Sequence, residues 1–208
     1  MKKFTKYILF ISLGLLCSCS DYLDIVPDNV TTLDIVFNNK NTAQRYLANC
    51  YHFVPDHGSV KRIPGMGAGH ECWFYTDKDS YFDNEVSFYI ARGLQNTNAP
   101  YANYWDGEGG SKLPMFRAIR ECNIFLSYVR DQHKVNDLTD SERKRWIAEV
   151  NVLKAYYHFF LFEHYGPIPI VDEALPVSTS SEGVKVTRMP VDLSLIHISE
   201  PTRRSYIS

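Results

Sequence analysis

The densest chemistry in the sequence lies between Gly65 and Glu85. His70-Glu71-Cys72-Trp73-Phe74-Tyr75, followed by Tyr81-Phe82, sets aromatic rings among polar side chains. Sugars present C–H faces that stack on rings, while polar side chains take their hydroxyls. The stretch has the composition of a ligand contact of that kind, with Trp73 as first candidate and Tyr75 and Tyr81 next. The competing reading packs the same rings beneath a loop, since large aromatics are mostly buried. Asp77, Asp79, Asp83 and Glu85 lie in the same region, but a calcium loop needs Gly at its sixth position and Phe82 stands there. A solvated acidic loop fits better. His70-Glu71 begins a zinc-protease helix motif, whose second His would fall at Phe74. Gly65-x-Gly67-x-Gly69 has no flanking strand and helix of the kind a dinucleotide site needs. His158 and His164 are six positions apart and share no helix face as metal ligands. No metal and no cofactor is expected.

A second chemical feature stands at the N-terminus. Lys2, Lys3 and Lys6 precede an apolar run, Ile8 to Leu16, which is the pattern of a secretory signal. The run is about half of the ~20 residues that a membrane-spanning helix needs. It ends in Leu16-Cys17-Ser18-Cys19, which resembles the lipobox of bacterial lipoproteins. That resemblance makes Cys19 the lipid-attachment residue and the first residue of the mature chain. Two or more acyl chains anchor a protein stably to a membrane, where one binds only marginally.

Composition narrows the partners. Loss of residues 1–18 lowers 22 cations to 19 against 24 carboxylates, a net charge of −5. That balance argues against nucleic acid, whose phosphates want clustered Lys and Arg. Beyond the signal, Cys50, Cys72 and Cys122 fit no zinc spacing. Two of them could pair in an oxidising compartment, or all three could serve as small buried side chains.

Three helices must position these residues. Ser20 to Lys40 reads as an extended lead-in, because Pro27, Asp28, Asn29 and two threonines disfavour a long helix. The first helix is expected from Asn41, where Asn41 and Gln44 have capping-box spacing, and Pro55 stops it. Ala43, Leu47, Cys50 and Val54 would form its buried face. Residues 56–110 hold eight glycines and no sustained period, so a long irregular segment with one short element is expected there. A second helix follows Pro114, with Met115, Ile119, Cys122, Leu126 and Val129 as its apolar stripe. The third begins with the capping box Thr139–Glu142. Its stripe is Trp146, Val150, Leu153, Tyr157, Leu161 and His164, widened by Ala155, Tyr156, Phe159 and Phe160, so burial on more than one side is expected. Gly166 and Pro167 end it. The short connection makes the last two helices an antiparallel hairpin. Pro167 to Val171 then runs extended.

Ala148 to Val171, AEVNVLKAYYHFFLFEHYGPIPIV, resembles the signature helix of the SusD/RagB family, surface glycan-binding lipoproteins of Gram-negative gut and oral bacteria. Ala148, Glu149, Leu153, Ala155, Tyr156, Tyr157, Phe159, Tyr165, Gly166, Pro169 and Val171 match its pattern. Lys154 stands where the family has Arg, which keeps the charge but loses the bidentate fork. Ile119 to Leu126 with Asn123, and Cys19 to Asp24, resemble two further family segments. Trp105 resembles the tryptophan before the family's second helix and is read as core. The resemblance implies an all-α fold of tetratricopeptide-like helix pairs with long irregular loop insertions, of which this chain is the N-terminal part. It also implies no catalysis, an oligosaccharide or other nutrient as ligand, a SusC-type TonB-dependent transporter as partner, and lipid anchoring at the outer membrane, facing outward. The resulting division is a signal at 1–18, a SusD-like domain at 19–192, and a tail at 193–208. That tail, LSLIHISEPTRRSYIS, resembles translated sequencing-adapter read-through. Two other classes compete: a surface glycoside hydrolase, which would need two facing carboxylates in a cleft, and a helix-pair scaffold that binds only protein.

Overall fold

A computed structural model describes residues 32–59, 65, 67–69, 86–98, 100–107, 112–175 and 186–192. The chain divides into two units, Met1–Ile35 and Val36–Ser208. The described residues are helical, with no strand among them, and the fold class is all-α. The helices are α1 (Leu33–Val36), α2 (Lys40–Tyr51), α3 (Val86–Ala91), α4 (Met115–Arg130) and α5 (Asp140–Tyr165). No helix among the described residues is long and apolar enough to cross a membrane.

The frame is the pair α4 and α5, joined by residues 131–139, with α2 packed against both. All five predicted stripe residues of α4 are buried, from Met115 to Val129. Pro114 serves as the N-cap of α4 rather than as its first helical residue. On α5 the capping box is complete: the Thr139 hydroxyl accepts from Glu142 N–H at 3.3 Å, and the Glu142 carboxylate accepts from Thr139 N–H at 3.2 Å. Gly166 closes α5 at φ 68°, a conformation that costs a glycine no Cβ clash, and its N–H bonds the Phe162 carbonyl at 2.9 Å. Twenty-six residues give α5 a length of about 39 Å.

Several expectations need correction. The lead-in is not extended throughout, because Leu33–Val36 forms a helical turn. The cap of α2 is Asn39, not Asn41: its side chain accepts from Thr42 N–H at 3.0 Å. The reason is tertiary. The Asp137 carboxylate takes the Lys40 N–H at 2.8 Å, and the Lys40 ammonium pairs with Glu142, so the helix gains a satisfied first turn before Asn41. Hydrogen bonds from Lys40 and Thr139 hold the Glu142 carboxyl down to about 2. Val54 is exposed, because α2 ends at Tyr51.

The α5 helix is buried along a broad side, facing α4, α2 and the chain after Pro167. Its outer side exposes Val152 (68%) and Phe159 (41%), so Phe159 does not widen the buried face as expected. Three tyrosines fasten α2 to the pair. Tyr46 hydroxyl donates to Glu121, Tyr51 hydroxyl to Glu149, and Tyr157 hydroxyl to the Cys50 carbonyl.

Candidate functional site

The three candidate sugar contacts, Trp73, Tyr75 and Tyr81, lie outside the described residues, as does Cys19. What surrounds the aromatic segment is described. Gly67 stands on one side of it and α3 on the other, and the two meet. A Cβ added at Gly67 would stand 2.8 Å from the Ser87 Cβ. Only a residue without a side chain permits that approach. Val86, Ser87 and Phe88 of α3 are buried. Gly67 and Ser87, which flank that segment in the sequence, are thus brought into contact. In the sequence, the glycine spacing carries this signal, although no period predicted the contact.

A second aromatic group continues from α3. Tyr89 and Tyr101 stack at 4.1 Å between centroids with 6° between planes. The Gln95 side-chain carbonyl accepts from Tyr101 N–H at 2.8 Å and from Ala102 N–H at 3.2 Å, which sets the turn. Tyr104 is fully buried, and its N–H donates to the Tyr165 hydroxyl at 2.8 Å. Trp105 is half-buried rather than core. It packs on Phe116 and Tyr165, and the Arg188 guanidinium lies 5.3 Å from its ring centroid.

The signature helix has a task that its spacing did not reveal: it binds the chain that follows it. Asn123 side-chain N–H donates to the Val171 carbonyl at 3.0 Å, and the Lys154 ammonium donates to the Asp172 carbonyl at 3.0 Å. Arg120 donates to the Leu175 carbonyl. Residues 171–175 are thus held across α4 and α5 as a strap. Lys154 is buried, which lowers its pKa, while Asp172 opposes that shift. The Asp172 carboxylate stands at 3.4 Å from the ammonium, a longer contact than the backbone bond and consistent with the lost fork of Arg.

His158 completes the strap. Its Nδ1 bonds the Lys154 carbonyl at 2.8 Å, and its Nε2 receives the Val171 N–H at 3.3 Å. A carbonyl accepts and an amide donates, so these partners assign the proton to Nδ1 and require a neutral ring. Burial holds the imidazole down to about 4. The unfolded chain then binds one more proton than the folded chain between about 6.5 and 4. His158 stabilises the fold above pH 6.5, and that contribution, about 3 kcal/mol, is lost as pH falls through 4. Thermal midpoints measured from pH 7 to pH 4 should fall with a slope that His158→Gln flattens. An unchanged slope in the variant would remove His158 as the cause.

Beside the strap is an open cavity of about 460 Å³, lined by Arg130, Ile170, Val171, Asp172, Glu173, Leu175 and Val186. Its charged groups can bond hydroxyls, and there is no ring among its described lining residues. No group of three His, Cys, Asp or Glu side chains among the described residues could hold a metal ion.

Residues 21–201 match the SusD-like family described as starch-binding and associating with the outer membrane. The chain belongs to the SusD-like family. The matched span includes the aromatic segment, the α4–α5 pair and the strap, and it runs past Leu193. The family assignment implies starch or glycan binding in association with the outer membrane. No curated protein matches the chain.

Proposed function

We propose that this SusD-like chain is a non-catalytic, lipid-anchored surface protein that binds oligosaccharide and passes it to a SusC-type TonB-dependent transporter. The family match over residues 21–201 carries the reading. The lipobox-like Leu16-Cys17-Ser18-Cys19 supports the tether, with Cys19 as acylated residue. The sequence from His70 to Phe82 supplies the rings for stacking in this reading, and the residues that flank it, Gly67 and Ser87, approach closely. In this reading Trp73 is the principal platform, with Tyr75 and Tyr81 beside it. A ring that anchors a ligand costs about 2 kcal/mol when truncated, which is roughly thirtyfold in affinity. Calorimetric titration with a linear glucose oligosaccharide should show that loss in Trp73→Ala, with no sugar released from the oligosaccharide by either protein. Equal affinity in the two proteins would remove Trp73 from the site, and released product would favour a hydrolase.

A further inference from the structure

The junction of α2, α4 and α5 holds a pair of groups that the binding role does not use. Cys50 on α2 and Cys122 on α4 are both fully buried free thiols. Tyr46, one turn before Cys50, bonds Glu121, the residue before Cys122, so the two thiols sit on facing turns of packed helices. The Tyr157 hydroxyl, from α5, bonds the Cys50 carbonyl and fixes the turn of α2 that carries the sulfur. Two buried thiols on facing turns of packed helices can meet the geometry that a disulfide needs.

We propose that Cys50 and Cys122 are a disulfide pair, closed by thiol–disulfide exchange during folding, which staples α2 to α4. The inference stands independently of the ligand. A protein that works at the outer membrane passes through an oxidising compartment, where such bonds form and persist. The chain between the two cysteines, residues 51–121, contains the whole aromatic segment. Closing it would tie both ends of that segment to the helical frame, and cross-links that close long loops restrict the unfolded chain most.

The exchange balances with a disulfide oxidant, which is a protein disulfide in the cell and oxidised glutathione in the test. One cysteine thiolate attacks the oxidant, forming a mixed disulfide and releasing one thiolate. The second cysteine thiolate attacks the cysteine sulfur of that mixed bond, forms the Cys50–Cys122 bond and releases the second thiolate. The two cysteine sulfurs lose two electrons, the oxidant gains them, and the two protons pass to the released thiolates. Contact with Cys122 and burial both push the Cys50 thiol far up, so thiolate is scarce in the folded core. The exchange therefore precedes closure of the core.

The test refolds the full chain from denaturant with reduced and oxidised glutathione. Free thiols are then alkylated in denaturant without reductant, and the peptides are mapped by mass. The Cys50 and Cys122 peptides should appear joined, two hydrogens lighter than their sum and free of alkyl label. The thermal midpoint should lie about 10 °C above that of the reduced protein. A Cys72→Ser chain should give the same joined peptide. Alkyl label on both Cys50 and Cys122, or joining of either one to Cys72, overturns the proposal.

Discussion

Replacing Arg143 with leucine should destabilise the protein by about 4 kcal/mol, because four buried or half-buried carbonyls lose a charged donor together. Arg143 is only 8% exposed. One guanidinium nitrogen donates to the Val129 carbonyl at 2.6 Å and the Asp131 carbonyl at 3.1 Å. The other donates to the Lys134 carbonyl at 3.0 Å and the Val135 carbonyl at 3.1 Å. One side chain from the first turn of α5 thus closes the C-terminal end of α4 and the loop that joins the two helices. The last carbonyls of a helix have no partner within it, and a cation there also meets the negative end of the helix dipole. Val135 depends on this arrangement, since it adopts a positive φ of 50° although it is β-branched. Arg143→Lys should recover less than half of the loss, because an ammonium cannot present the planar fork that reaches four acceptors. Denaturant unfolding of the three proteins measures both differences. A midpoint for Arg143→Leu within experimental error of wild type would show that the fork is dispensable.

Phe37→Ala should cost a similar amount, about 4 kcal/mol, by opening a cavity among aromatic rings. Phe37 is fully buried. Its ring stacks on Tyr128 at 4.5 Å and 14°, meets Phe125 edge-on at 5.9 Å, and tilts against Tyr46 at 5.0 Å. Its carbonyl accepts the Val135 N–H at 3.1 Å, so the residue joins the chain before α2 to the loop between α4 and α5. Aromatic pairs add about 1 kcal/mol each beyond the area they bury. Phe37→Leu, which keeps most of the volume, should lose about half as much. The loss should appear as a lower unfolding midpoint without a change of slope. A loss under about 1 kcal/mol in Phe37→Ala would mean that the neighbouring rings collapse to fill the space.

These two residues mark where sequence reading stops. The stripes of α4 and α5 are legible because a periodic apolar face has one way to be buried, and Met115 to Val129 and Trp146 to Leu161 are buried as spaced. Thr139 with Glu142, and Gly166, are legible because caps use local bonds. Phe37 sits in a stretch of turn residues with no period, so its burial depends on rings far along the chain. Arg143 reads as an exposed charge in a first helical turn, and only the folded loop brings four carbonyls to it. Asn39 is not legible as the cap because the carboxylate that satisfies Lys40 comes from Asp137, distant in sequence. The strap is illegible for the same reason: Lys154 and His158 face backbone groups that no side-chain pattern encodes. Of the candidate site, the sequence offers residue types, Trp73 with Tyr75 and Tyr81. Beside it in the sequence, the structure shows the approach of Gly67 to Ser87 and the stack of Tyr89 on Tyr101.

The central proposal is that the chain binds a starch-type glycan without cleaving it. Native electrophoresis of the protein through gels with and without soluble starch tests this directly. Retarded mobility in the starch gel, with the starch along the lane still intact to iodine stain, is the predicted result. Equal mobility in the two gels, or a cleared lane, would contradict the account.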